Sequence, residues 1–163
     1  MTSVMCVALA IYFESASSKQ PIDDQYSVAL VVRNRVHDTG MTPCEVVFQP
    51  KQFSSLNNAL DDHGHLKPGY RPPRGKAWRR ARNIAKLVLR GEMPDITNGA
   101  RFYYANYIQR PAWSRGMVLT SMHGKHLYWR KKKKNLQYKS VEARTIHHSP
   151  TVASNDKTIV AWD

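Results

Sequence analysis

One carboxylate stands out by its setting. Residues 6–16 read CVALAIYFESA, and Glu14 is the only side chain in that run charged at neutral pH. A stretch that is apolar on nearly every face reads as a buried helix. A carboxyl group at the end of such a helix meets low-dielectric surroundings, and desolvation disfavours a carboxylate's charged form. A carboxyl that keeps its proton near neutral pH can act as a general acid. The plainer reading is that Glu14 marks where the helix meets water. Gln25 and Ser27, near the start of the next helical segment, are placed to hydrogen-bond Glu14 or a ligand, although a residue such as Gln25 is as often a simple N-terminal helix residue. Asp95 is the best candidate for a second carboxylate, against the turn-forming character of Asp95-Ile96-Thr97-Asn98-Gly99. The histidines were weighed as metal ligands: His63 with His65, His123 with His126, and His147 with His148. None comes with a Glu-x-x-His pattern or a cysteine pair, so no metal is expected. No phosphate-cradling or dinucleotide glycine motif is present, so no cofactor is expected either.

These residues need elements to hold them. The run from Ser3 to Ala16 makes a helix of about four turns, capped by Thr2 or Ser3. A polar loop, SSKQPIDD, leads to a second helix capped by Asp23 or Asp24. Its apolar residues Val28, Ala29, Val31, Val32 and Val36 follow helical spacing, Arg33, Asn34 and Arg35 interrupt them, and Gly40 ends the helix. Thr42-Pro43-Cys44-Glu45 reads as a capping box opening a short helix. Residues 50–74 read as a long surface loop, functional or mobile. A third long helix covers 75–90, with Trp78, Ala81, Ile84, Ala85, Val88 and Leu89 as its buried stripe. Residues 101–105, 118–122 and 126–129 favour strands, with Gly124-Lys125 as a turn. Helices first and a small antiparallel sheet later predict an α+β, mainly helical domain. That domain is expected over 1–130, with 131–163 as a basic C-terminal extension carrying a candidate last strand at 158–162.

The chain has 163 residues and a formal charge of +13. That length suits one domain with a real core, and that charge calls for an anionic partner or surface. Cys6 and Cys44 are too few for a disulfide scaffold or a four-cysteine zinc site. Both lie on faces that must share one core, so they are expected close together, bridged or as two buried thiols. No apolar run is long enough to span a bilayer. The apolar residues 4–13 follow no Lys or Arg, which is unlike a secretory signal.

The stretch AIYFES, with DQYSVALVVRNRV after it, resembles the cell-wall hydrolase family typified by the spore-cortex-lytic enzyme SleB. The resemblance continues through TPCEVVFQPKQFS, PDITNGARFYYA, PAW and HGKHLYW, in order, over roughly residues 4 to 129. It implies a lysozyme-like, lytic-transglycosylase-like domain acting on bacterial peptidoglycan, with cleavage of the glycan strand by a lytic transglycosylase or a muramidase. It places the catalytic acid on Glu14. The family blocks also make Gln52, Phe53, Ser54, Tyr103, Tyr104 and Trp113 candidates for a sugar cleft, with Asp95, Thr97 and His126 beside them. Aromatic faces stack on sugars and amides read hydroxyls. The small, basic form suggests a monomeric phage or prophage endolysin, held in the host cytoplasm before lysis, acting at the cell wall, and drawn to the anionic envelope by its basic surface, including Arg130 to Lys134.

The sequence departs from the family after Glu14. Where members often carry a second Glu, this chain has Ser18, and where a Gly commonly precedes the Gln of helix two it has Asp24. The role of that second carboxylate is therefore absent or moved to Asp23 or Asp24. A two-carboxylate glycosidase needs a partner about 5 to 9.5 Å away, so its loss favours transglycosylation, with Asp95 as the muramidase alternative. Two readings of another class compete: a nucleic-acid-binding module, suggested by the charge but supported by no recognised motif, and a non-catalytic envelope-binding protein.

Overall fold

The structure is a computed structural model that describes residues 1–50, 52, 53, 56, 59–61, 63 and 65–132. Ser54, Lys133, Lys134, the rest of the C-terminal extension and its candidate strand at 158–162 lie outside the described residues.

Helix α1 (Ser3–Ile11) is the centre of the helical layer. Thr2 caps it, its Oγ1 accepting from the Met5 N–H at 3.3 Å. Cys6 to Ile11 are wholly buried, and α1 packs against α2, α3 and α4. Burying a Leu9 or Ile11 side chain stabilises the fold by about 1.5–3 kcal/mol. The helix predicted to run on to Ala16 changes form first. Over Tyr12–Ala16 it widens into one π-helical turn, with the Ser17 N–H reaching back to the Tyr12 carbonyl at 2.8 Å. A π-turn inserts one residue into the helical register and is frequent at functional sites. Here the widened turn carries Glu14.

Helix α2 (Ile22–Thr39) begins after Pro21 with no side-chain cap. Asp23 and Asp24, expected as caps, instead fall within its first turn, and the Asp24 carboxylate is drawn inward by other partners described below. Gly40 ends the helix in the left-handed conformation at φ 71°, its N–H bonding to the Val36 carbonyl, which glycine adopts without a Cβ penalty. Helix α3 (Pro43–Phe48) has the predicted capping box: Thr42 Oγ1 accepts from the Glu45 N–H, and Glu45 Oε2 accepts from the Thr42 N–H at 2.7 Å. A disulfide joins Cys6 of α1 to Cys44 of α3, with the Cα atoms 5.2 Å apart.

The described residues of 50–74 are irregular and mostly at the surface, as expected of a loop, with three apolar anchors. Phe53, Leu56 and Leu60 are buried in the helical core, and Leu60 bridges Leu66. Apolar anchors tie this irregular segment down where its turn-forming composition pointed outward. Helix α4 (Lys76–Leu89) buries Trp78, Ala81, Ile84, Ala85 and Val88 and leaves its arginines outside.

The sheet is formed by β1 (Phe102–Ala105), β2 (Val118–His123) and β3 (His126–Arg130). It is antiparallel in the order β1-β3-β2, with Tyr103 paired to Tyr128 and Ala105 to His126. A register irregularity lies between Leu119 and Ser121. Tyr128 on the central strand is fully buried against Val31 and Ala100, which fastens the sheet to α2. The α+β expectation holds. Among the described residues no helix is long and apolar enough to cross a membrane.

Candidate active site

The π-turn buries Ser15 and Ala16 and leaves Phe13 and Glu14 half-buried. Both line a cavity of about 440 Å³. Tyr103 and Tyr104 of β1 form one wall, with Trp113 from the short 3-10 turn Ala112–Ser114 beside them. Gln52, Arg35, Lys125 and His126 supply its polar groups. Glu14 is the only carboxylate among the described residues that line it. A second cavity of about 270 Å³ shares Arg35, Gln52, Tyr103 and Trp113, so these residues face two joined hollows. Trp113 is 41% exposed, and its ring leans against Phe102 and Tyr104 at centroid distances of 5.7 Å.

Tyr103 is the residue beside which the charges meet. Its ring lies edge-on to His126 with centroids 4.9 Å apart. Its hydroxyl is buried and close enough to the Glu14 side chain for that carboxylate to act on it as a hydrogen-bond acceptor. Burial first, and the neighbouring Glu14 charge second, push its phenol well above the ordinary value, while Arg35 opposes them. Arg35 reaches in from α2. Its Nε donates to the Arg101 carbonyl at 2.6 Å, and its guanidinium lies over the Phe53 ring at 5.5 Å and the Phe102 ring at 5.8 Å, distances at which a cation is attracted to a ring face. Burial pulls its pKa below the usual guanidinium value.

Under the cavity lies a buried carboxylate. Asp24 is fully buried, and an ion taken out of water needs partners. Its Oδ2 accepts from Ser15 Oγ at 2.6 Å. Its Oδ1 accepts from Tyr128 Oη and pairs with His126 Nδ1, both at 2.8 Å. The His126 backbone stays paired in the sheet while its ring turns across to α2, where the buried carboxylate offers a strong acceptor.

The structure brings Glu14, Gln52, Tyr103, Tyr104, Trp113 and His126 to one cavity. It does not bring the other candidates there. Phe53 is core, beneath Tyr103 at a centroid distance of 6.4 Å. Gln25 is buried, and its Nε2 donates to the Gln20 carbonyl at 2.8 Å, closing the loop before α2. Ser27 is buried beside Tyr128. Asp95 and Thr97 belong to a separate turn. The Asp95 carboxylate accepts from Asn34 Nδ2, the Thr97 N–H and the Gly99 N–H, each at 2.9 Å, and from the Thr97 hydroxyl. Partial burial acts to raise the Asp95 pKa, but these hydrogen bonds outweigh it and hold the carboxyl below its ordinary value.

Phe13, Arg35, Lys125 and the Asp24 network were not foreseen as a site. A signal for Arg35 existed in the polar interruption of the helix-two stripe. Asp24 had one in its place beside the family's Gln. Phe13 reads from sequence only as one more apolar residue.

The sequence matches the cell wall hydrolase family over residues 19–129, and the chain belongs to that family. The matched span begins after Glu14. Among solved structures, the chain is similar to the catalytic domain of the Bacillus cereus SleB protein, at 24% identity and a TM-score of 0.61, over 78% of this chain and 89% of that one. It is equally similar to the catalytic domain of the germination-specific lytic transglycosylase SleB from Bacillus anthracis, at 24% identity and a TM-score of 0.61, over 78% of this chain and 93% of that one. The fold is therefore that of these domains. No curated protein matches the sequence.

Proposed function

We propose that the protein is a peptidoglycan lytic transglycosylase that cuts the glycan strand, with Glu14 as general acid and then base. One observation carries this reading: among the described residues, Glu14 is the one carboxylate lining an aromatic-walled cavity in a chain of the cell wall hydrolase family. Sugar rings present apolar faces that stack on aromatics, a role suited to Tyr103, Tyr104 and Trp113, while Gln52, Lys125 and His126 meet hydroxyl and N-acetyl groups. Glu14 donates its proton to the bridging oxygen as the glycosidic bond breaks. It then takes the proton from the muramoyl 6-hydroxyl, whose oxygen bonds to the anomeric carbon and closes a 1,6-anhydro ring. The nucleophile is already part of the substrate, and such proximity is worth effective molarities of about 10⁵ M or more. The similarity to the Bacillus anthracis lytic transglycosylase SleB supports the same reaction class. Hydrolysis through Asp95 is the poorer reading, because that carboxylate is taken up by Asn34 and by its own turn and is not among the residues lining the cavity.

Mass spectrometry of digested peptidoglycan tests the reaction. The expected products end in 1,6-anhydromuramoyl groups, one water lighter than reducing ends. Reducing ends alone would make the enzyme a muramidase. The endolysin setting belongs to the same proposal, and lysis of outer-membrane-permeabilised cells tests it.

A further inference from the structure

One carboxylate under the cavity has no part in the reaction above. Asp24 ties α2 to two elements that build the site: the π-turn, through Ser15 next to Glu14, and β3, through His126 at the cavity edge and Tyr128, whose ring packs on Tyr103 at 5.6 Å. A carboxylate only accepts hydrogen bonds, so the bond from His126 places the ring proton on Nδ1. In the neutral ring Nε2 is then the nitrogen with a lone pair, and the ring lines the cavity. The approach of the β2–β3 turn to α2 makes this bond geometrically possible. Gly124 sits at φ 52°, and a Cβ there would come within 2.9 Å of Gln20 Oε1 and 3.1 Å of Asp24 Cβ and Pro21 Cδ. The Lys125 N–H then donates to Gln20 Oε1 at 3.1 Å, fixing the turn.

We propose that Asp24 is a positioning residue that sets the tautomer of His126, so that Nε2 accepts a hydrogen bond from a hydroxyl or N-acetyl N–H of the bound glycan, while its bond to Ser15 holds the Glu14 turn on the same frame. This rests on the glycan reading above. It gives the altered loop a function: the carboxylate absent at Ser18 is matched by one at Asp24 that serves the site from beneath.

Nitrogen-detected NMR of ¹⁵N-labelled histidine tests it without turnover. The protein is the Glu14→Gln variant, and the probe is a soluble tetrasaccharide of alternating N-acetylglucosamine and N-acetylmuramic acid. His126 is expected with Nδ1 protonated and Nε2 bare, and the tetrasaccharide should move the Nε2 resonance. In Asp24→Asn the amide can donate as well as accept, so the Nε2-protonated form should appear. The same change in the active enzyme should lower kcat/KM roughly tenfold to a hundredfold, the loss expected for a charge-assisted hydrogen bond. A His126 protonated at Nε2 in the parent protein, or one whose nitrogens ignore the tetrasaccharide, overturns the proposal. If the active enzyme produces no cut glycan while the tautomer and shift are as expected, the reaction is wrong and the placement stands. Normal cutting with the other tautomer overturns the placement alone.

Discussion

Asp24 and Asp95 are both carboxylates surrounded by hydrogen-bond donors, and they do different work. Asp95 takes its donors from Thr97, Gly99 and Asn34, so most of them come from its own turn. Asp24 takes its donors from the π-turn and from β3, none from its own helix. The first pattern fixes a local loop. The second fixes the relative positions of elements distant in sequence, two of which carry Glu14 and His126 into one cavity. Donor count therefore says that a carboxylate is satisfied, and the origin of the donors says what it holds.

The strongest way to break this contrast is through the carboxylate that faces the cavity. Glu14→Gln should lower kcat on peptidoglycan by about a hundredfold or more, the usual contribution of a general acid, and should leave thermal stability within about 0.5 kcal/mol, since no packed core atom is lost. Turbidity loss of permeabilised cells, beside thermal unfolding, measures both. A folded variant that lyses normally would remove Glu14 from the chemistry and send the search to other groups in the cavity.

The disulfide ranks next, by stability instead of rate. It joins α1 to α3 across a separation of 38 residues, and losing such a link costs roughly 2–4 kcal/mol. Cys44→Ser, or reduction, should lower the denaturant midpoint accordingly, while kcat of the folded fraction stays close to the parent value. A fall in kcat without a fall in stability would tie the α1–α3 contact to the site directly.

Asp95→Asn sharpens the contrast from the other side. The substitution replaces one acceptor oxygen with a donor that must face Asn34, Thr97 or Gly99, and leaving such groups unmatched costs about 1–3 kcal/mol. Cleavage should barely change. The pH dependence has a fixed sign. The folded Asp95 pKa is depressed, so its stabilisation is present above the unfolded carboxyl's range and is lost as pH falls through the folded value. The parent should lose stability on acidification below about pH 4, and the variant should lack that part of the loss. A stable but inactive Asp95→Asn variant, beside a parent enzyme that gives only reducing ends, would restore the muramidase reading.

How much of this was legible beforehand follows from the kind of interaction. The helices α1, α2 and α4 and all three strands could be read because periodic burial and β-branched or aromatic runs are local signals. The capping box at Thr42 is a four-residue pattern and was equally plain. The π-turn was not legible, since nothing in YFESA distinguishes a widened turn from one more turn of α-helix. Asp24 could be read only as one of two possible caps or as a displaced second carboxylate, because its partners His126 and Tyr128 are 102 and 104 residues away. Gln25 read as a partner of Glu14 or a ligand by its place near the start of helix two, and Phe53 as a cleft residue by its family block; the fold spends the first on closing the loop before α2 and the second on packing.

The smallest expected effect extends the comparison from carboxylates to cations. Arg35 lies under the cavity with its charge over two rings and its Nε on a carbonyl, whereas Lys131 and Lys132 are exposed beside Arg130 at the end of β3 and line a different hollow, with Asn98 and Arg101. A charge in the first place bears on the site. Charges in the second act only through the field they add to a chain of net charge +13, and that field is screened within roughly 8 Å at physiological salt. Replacing Lys131 and Lys132 with Gln should weaken binding to anionic cell envelopes by a fewfold at low salt and flatten its salt dependence. Cleavage of a short soluble glycan should stay within about twofold, because steering by distant charges acts on association and not on the bond-breaking step. Sedimentation with cell walls at several salt concentrations gives the first quantity, and a soluble-fragment assay gives the second. Equal losses in both assays would mean that the end of β3 belongs to the glycan cleft, and the line drawn between the two kinds of cation would have to move.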